Sequence, residues 1–91
     1  MRLADKVAIV TGAGGDIGRE ISLHYAREGA RVVVADVNLP AAEETRGIID
    51  AEGGESLVVQ ANVMDSESVK GMVRKVIDEW GKIDILVNNA G

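Results

Sequence analysis

Apolar and polar positions along the chain alternate between two kinds of pattern. Residues 7–10 are continuously apolar, as in a strand covered on both faces. A 3.6-residue rhythm follows over 17–28, with Gly18, Ile21, Ser22, Tyr25 and Gly29 on one helical face, and Gly29 suits the helix C-terminus. The second apolar run, 30–37, is centred on Val32, Val33 and Val34 and closes near Asp36. Asn38 then caps a helix with Pro40 in its first turn, where a missing N–H costs nothing. Ala41, Thr45, Ile48, Ile49 and Glu52 fall on one helical face, four of the five fit to reach a core, and Gly53-Gly54 ends it. A third strand covers 56–62. Asp65 or Ser66 caps the most amphipathic helix, whose stripe is Val69, Met72, Val73, Val76, Ile77 and Trp80. Gly71 weakens that helix and Gly81 stops it, before a fourth strand over 83–87.

The order β-α-β-α-β-α-β predicts an α/β fold, a doubly wound parallel sheet with three helices, because parallel strands need right-handed crossovers. The expected strand order is 3-2-1-4, with the first strand central and a switch point between strands one and four. With one helix on one face, strand four is expected to present an uncovered apolar edge.

Composition narrows the partners. The 91 residues carry a net charge of −5 and no basic run, which argues against nucleic acid and anionic membranes. Cysteine is absent, which rules out disulfides and thiolate zinc sites within the chain. No run is long enough for a membrane span or signal peptide, so the expected location is cytoplasmic.

Candidate chemistry gathers after the first strand. Gly12, Gly14, Gly15 and Gly18 punctuate a strand-turn-helix unit, where small residues let the backbone approach a phosphate and the helix N-terminus attracts it. Asp16 and Ile17 complete that turn, and Asp16 is expected to cap the helix through its own side chain, facing away from a pyrophosphate. Asp36, 18 residues after Gly18, is placed to accept hydrogen bonds from an adenosine ribose, or else is an ordinary strand-end acid. Two unit charges about 4 Å apart repel by roughly 4 kcal/mol at an effective dielectric near 20, so a 2′-phosphate there is disfavoured. No arginine or lysine stands at Gly15 or Val37 to offset it, and the expected cofactor is NAD. Asn62 and Val63 are candidates for the adenine, with a plain turn role open for Asn62. Asn88 and Asn89 either tie strand ends together or touch a ribose. His24, Tyr25, Glu43-Glu44 and Asp78-Glu79 read as packing or solvated positions, and no metal site is expected.

Together, Val10-Thr11-Gly12, Ile17-Gly18, Asp36, Asn62-Val63 and the run from Asp84 to Asn88-Asn89-Ala90-Gly91 resemble the N-terminal part of the short-chain dehydrogenase/reductase family. The resemblance implies that residues 1–91 are the NAD-binding part of a single Rossmann-fold domain, with Ala90 and Gly91 beside the cofactor. It also implies a hydride-transferring oxidoreductase acting on a CH-OH or carbonyl substrate, often tetrameric. The family's catalytic Asn, Ser and Tyr-x-x-x-Lys lie after the Asn-Asn-Ala-Gly motif, so no catalytic residue is assigned within the chain. Departures exist: the middle glycine of the single-domain turn pattern is replaced by Asp16, and the acid usual at the adenine position by Asn62. Thr11, Gly12, Gly15 and Gly18 fit the pattern of the family's extended branch, the epimerases and dehydratases. That branch and a non-catalytic dinucleotide-binding domain are the alternatives.

Overall fold

The computed structural model describes residues 2–89. The elements are β1 (Val7–Thr11), α1 (Asp16–Arg27), β2 (Arg31–Asp36), α2 (Leu39–Ala51), β3 (Glu55–Gln60), α3 (Ser66–Trp80) and β4 (Ile85–Asn88). They form one parallel sheet of order β3-β2-β1-β4, as expected. Each element falls within three residues of its predicted bounds.

Strand periodicity sorts the apolar side chains onto two faces. Val7, Ile9, Val33, Ala35, Val59 and Ala61 meet Met72 and Val76 of α3. Val10, Val32 and Val34 meet Leu23 of α1 and Ala42 and Ile49 of α2. All five residues of β1 are buried, so a continuous apolar run is what its position requires. Each fully buried Val or Ile contributes about 1.5–3 kcal/mol, making β1 and β2 the thermodynamic centre of the domain. α3 covers its face alone, and Leu86 of β4, on that same side, is 63% exposed.

Caps follow the sequence closely. Asn38 accepts the Ala41 N–H through its side chain, Asp65 accepts that of Glu67, and Gly81 closes α3 with φ +77. The stripe of α1 differs in one respect: Leu23 is buried, whereas Ile21 and Tyr25 are half-buried at the margin of the core. Ser22 is tolerated in the core because its hydroxyl donates to the Gly18 carbonyl at 2.8 Å.

Asp84 fastens the start of β4 to the start of β1. Its N–H donates to the Val7 carbonyl, and its carboxylate accepts the Val7 N–H, both at 2.9 Å, with the Lys82 ammonium at 3.2 Å. The Val7 amide, with Lys82 second, holds the Asp84 carboxyl below the usual carboxylate range. A folded-state pKa below the unfolded one stabilises fully above about pH 3.9, and the contribution is lost as pH falls through the folded value. Urea midpoints measured from pH 7 to pH 2 should therefore fall less steeply at the acid end for Asp84→Asn, which keeps an acceptor but does not titrate. An unchanged slope would show that Asp84 contributes nothing through its charge.

Candidate functional site

The turn between β1 and α1 lies at the C-terminal edge of the sheet, beside the ends of β2 and β4. Gly12 enters it with φ +65, a left-handed conformation that glycine adopts without a Cβ penalty. The Ala13 N–H donates to the Ala35 carbonyl, and the Gly15 N–H closes back on the Gly12 carbonyl at 3.2 Å. Two glycines are required by packing. A Cβ on Gly14 would lie 2.6 Å from that of Ala41, and one on Gly18 would collide with the Gly12 carbonyl oxygen. Gly15 is different: its φ is −82, and a Cβ there would meet the Gly12 oxygen at an ordinary 3.6 Å. The glycine that matches the extended-branch pattern is thus not demanded by this turn.

The cap expected of Asp16 is not formed. Gly15 is the N-cap, with extended backbone and no side-chain cap bond, and α1 begins at Asp16 itself. A cap needs non-helical backbone so that its side chain can swing over the next amides; Asp16 is already inside the helix and stands exposed. Its carboxylate still complements the positive helix terminus. The first-turn N–H groups of Asp16, Ile17 and Gly18 have no intrahelical partner by helix geometry and open onto the turn.

Asp36, at the end of β2, is half-buried and doubly held. One carboxylate oxygen accepts the Gly14 N–H and the other the Asn38 N–H, each at 2.9 Å. Each oxygen keeps a lone pair for a further donor. Asn62 forms the plain turn: its side-chain oxygen accepts the Met64 N–H at 2.9 Å, and its own N–H donates to Ser68 Oγ. Val63 beside it is half-buried. Ile17, Val37 and Met64 stand 69%, 58% and 88% exposed around this end of the sheet, carbon surface that water solvates poorly.

At the β1–β4 side, Thr11 is the hub. Its hydroxyl shares one proton between the Val87 carbonyl at 3.3 Å and Asn88 Oδ1 at 3.2 Å, and accepts the Asn89 N–H at 3.0 Å. Asn89 Nδ2 donates to the Gly12 carbonyl at 3.4 Å, so Asn89 does tie neighbouring strand ends together. Ala90 and Gly91 lie outside the described residues.

A brace was not anticipated from the sequence. Thr45 of α2, fully buried, donates to the Ala13 carbonyl at 2.8 Å and accepts from Arg19 Nε at 3.0 Å. Arg19 also pairs with Glu44 at 2.9 Å and reaches the Gly14 carbonyl at 3.4 Å. The signal was present in part, since Thr45 fell on the inward stripe of α2, where a hydroxyl needs a partner. Thr45→Val keeps the shape but orphans the Ala13 carbonyl and Arg19 Nε, and should cost about 2 kcal/mol. Urea unfolding checks this, with Thr45→Ser expected to retain most of the stability; a neutral valine variant would remove the brace from the account.

Other surfaces offer less. A shallow depression at the opposite end of the sheet is lined by Arg27, Arg31, Glu52 and Glu55, paired as Arg27–Glu52 and Arg31–Glu55. Among the described residues no cluster of His, Cys, Asp or Glu is placed to hold a metal ion, and no helix is long and apolar enough to cross a membrane.

Comparison with known proteins agrees with this geometry. The short chain dehydrogenase family profile matches residues 6–91. A sorbitol dehydrogenase of Cereibacter sphaeroides is 46% identical over 90 residues, covering 99% of this chain and 34% of that protein. The crystal structure of a hydroxysteroid dehydrogenase from Escherichia coli superposes with TM-score 0.96 at 41% identity, covering 99% of this chain and 38% of that one. A 7α-hydroxysteroid dehydrogenase solved with NADH and 7-oxo glycochenodeoxycholic acid gives TM-score 0.93 at 39% identity, over 96% of this chain and 34% of that one. The chain spans about a third of the length of the relatives it matches. With the turn, the strand order and these likenesses in agreement, the chain belongs to the short chain dehydrogenase family of oxidoreductases, which use nicotinamide cofactors.

Proposed function

We propose that residues 1–91 are the NAD-binding part of a single Rossmann-fold domain, in an oxidoreductase that transfers hydride between the nicotinamide and a CH-OH or carbonyl carbon. The observation that carries this reading is the Asp36 carboxylate, fixed beside the glycine turn at the end of β2. The first-turn amides of Asp16, Ile17 and Gly18 would hold the pyrophosphate, and Gly12, Gly14 and Gly15 let it approach. Asp36 would accept the adenosine ribose hydroxyls. Asn62, through its remaining lone pair, and Val63 would meet the adenine. Asn88 would line the floor toward the nicotinamide side, and Ala90 and Gly91 are assigned to cofactor binding by the family resemblance alone. NAD supplies the hydride acceptor when bound; this chain's residues bind and orient it.

Tyr25 has Gly29 four residues on, not lysine, and is half-buried against the core, so it does not supply the Tyr-x-x-x-Lys pair that the family resemblance implies. A cytoplasmic homo-oligomer is part of the same reading. The test uses the intact protein with NAD and a panel of secondary alcohols, including polyols and hydroxysteroids, and follows NADH formation. Net NADH supports the proposal. Interconverted sugar nucleotides with unchanged cofactor would move the protein to the epimerase class, and tight NAD binding without turnover would leave a dinucleotide-binding domain.

A further inference from the structure

Resting on that reading, we propose that Asp36 is also the positioning residue of the phosphate-binding turn, so that ribose selection and phosphate binding share one carboxylate. The Ala13–Gly14 peptide group is gripped at both ends: Thr45 Oγ1 donates to its carbonyl at 2.8 Å, and Asp36 accepts its N–H at 2.9 Å. A peptide unit is planar, so fixing its C=O and its N–H fixes its orientation. Ala41, filling the space where a Gly14 Cβ would be, backs the same unit from α2. The next residue, Gly15, is the N-cap from which α1 and its free amides start. The second oxygen of Asp36 holds the Asn38 N–H, and Asn38 caps α2, which carries Thr45. The carboxylate therefore ties the end of β2 to the β1–α1 turn and to the start of α2.

A consequence separates this role from charge discrimination alone. If Asp36 only repelled a 2′-phosphate, Asp36→Ala would gain NADPH affinity and lose little else. A clamp predicts a loss of pyrophosphate affinity as well, because the phosphate turn loosens whichever cofactor is bound, while for NADPH the removed repulsion offsets that loss. Asp36→Asn separates charge from acceptor. Its single amide oxygen should turn to the Gly14 N–H, the less exposed of the two, leaving the Asn38 N–H to water.

The experiment measures amide hydrogen exchange of the cofactor-free intact protein, together with NADH, NADPH and inorganic pyrophosphate binding. For Asp36→Ala we expect exchange at Gly14 to accelerate about tenfold or more, the scale of losing a charge-assisted hydrogen bond, while β1 and α3 are unchanged. NADH affinity should fall, the gap between NADH and NADPH should narrow because the repulsive charge is gone, and pyrophosphate binding, which involves no ribose, should fall about as much as the loosened turn dictates. Asp36→Asn should restore Gly14 protection and pyrophosphate binding while raising NADPH affinity, a rescue that a merely structural role would not give. Unchanged Gly14 exchange in Asp36→Ala, or a gain of NADPH with NADH retained, overturns the clamp. If the alanine variant does not fold, Asp36→Asn decides: higher NADPH affinity with Gly14 protection kept supports the clamp, and with protection lost it overturns it. If the wild type binds neither dinucleotide, the cofactor reading falls, and the exchange data still decide the clamp.

Discussion

Gly18→Ala is expected to destabilise the protein by about 3 kcal/mol, at the upper end of the usual overpacking range, and to weaken dinucleotide binding with it. The added methyl would strike the Gly12 carbonyl oxygen, with Gly12 C at 2.7 Å and Ala13 Cα at 2.9 Å behind it. All three are backbone atoms, so no rotamer change relieves the clash. Alanine's helix propensity returns only about 1 kcal/mol. Controls come from the same chain. At Gly71 of α3 an added methyl would meet nothing within 4 Å, and Gly71→Ala should gain about 1 kcal/mol through propensity alone. Gly15→Ala, at 3.6 Å, should be close to neutral. Urea titration of the three variants orders them, and a Gly18→Ala protein as stable as Gly71→Ala would refute the close approach of α1 to the turn.

NADPH should bind at least about tenfold more weakly than NADH, a difference of about 1.4 kcal/mol or more. The bare repulsion of roughly 4 kcal/mol at about 4 Å is reduced by solvent and salt, since Asp36 is only half-buried. What preserves the effect is rigidity: with an amide on each oxygen, the carboxylate cannot swing aside to admit a 2′-phosphate. Nor, among the described residues, does the glycine turn offer an uncommitted arginine. Arg19, in the first turns of α1, is committed to Glu44, Thr45 and the Gly14 carbonyl. Fluorescence titration of the intact protein with each reduced cofactor checks the ratio; equal affinities would remove Asp36 from cofactor choice.

The fold was legible because its signals are local and repeated: continuous apolar runs for strands buried on both faces, a 3.6 rhythm between them, and Asn38, Asp65 and Gly81 at helix ends. The positions of Gly12, Gly18, Asp36 and Asn88 at one end of the sheet followed from strand order. The side-chain wiring of the site was not legible. Asp16 looked like a cap because the extra turn residue, Gly15, has no side chain to advertise the role. Glu44 reads from sequence as a solvated helix position, and nothing marks Arg19 as its partner, since sequence spacing within one helix does not reveal a partner on another. Asp36 was correctly placed at the strand end, but its bond to Gly14 spans 22 positions and depends on how α2 sets the turn.

The two polar attachments of β4 to β1 settle a matter that its apolar residues leave open. Ile85, Leu86 and Val87 are all aliphatic, so apolar character by itself distinguishes one alignment along β1 from its neighbours only weakly. Asp84 on the Val7 amide and Thr11 on Val87, Asn88 and Asn89 fix the two ends at once. Any shift breaks both. The placement of Asn88 and Asn89 against the glycine turn is in that sense measured out from the opposite end of the strand, where an aspartate sets the ruler's zero.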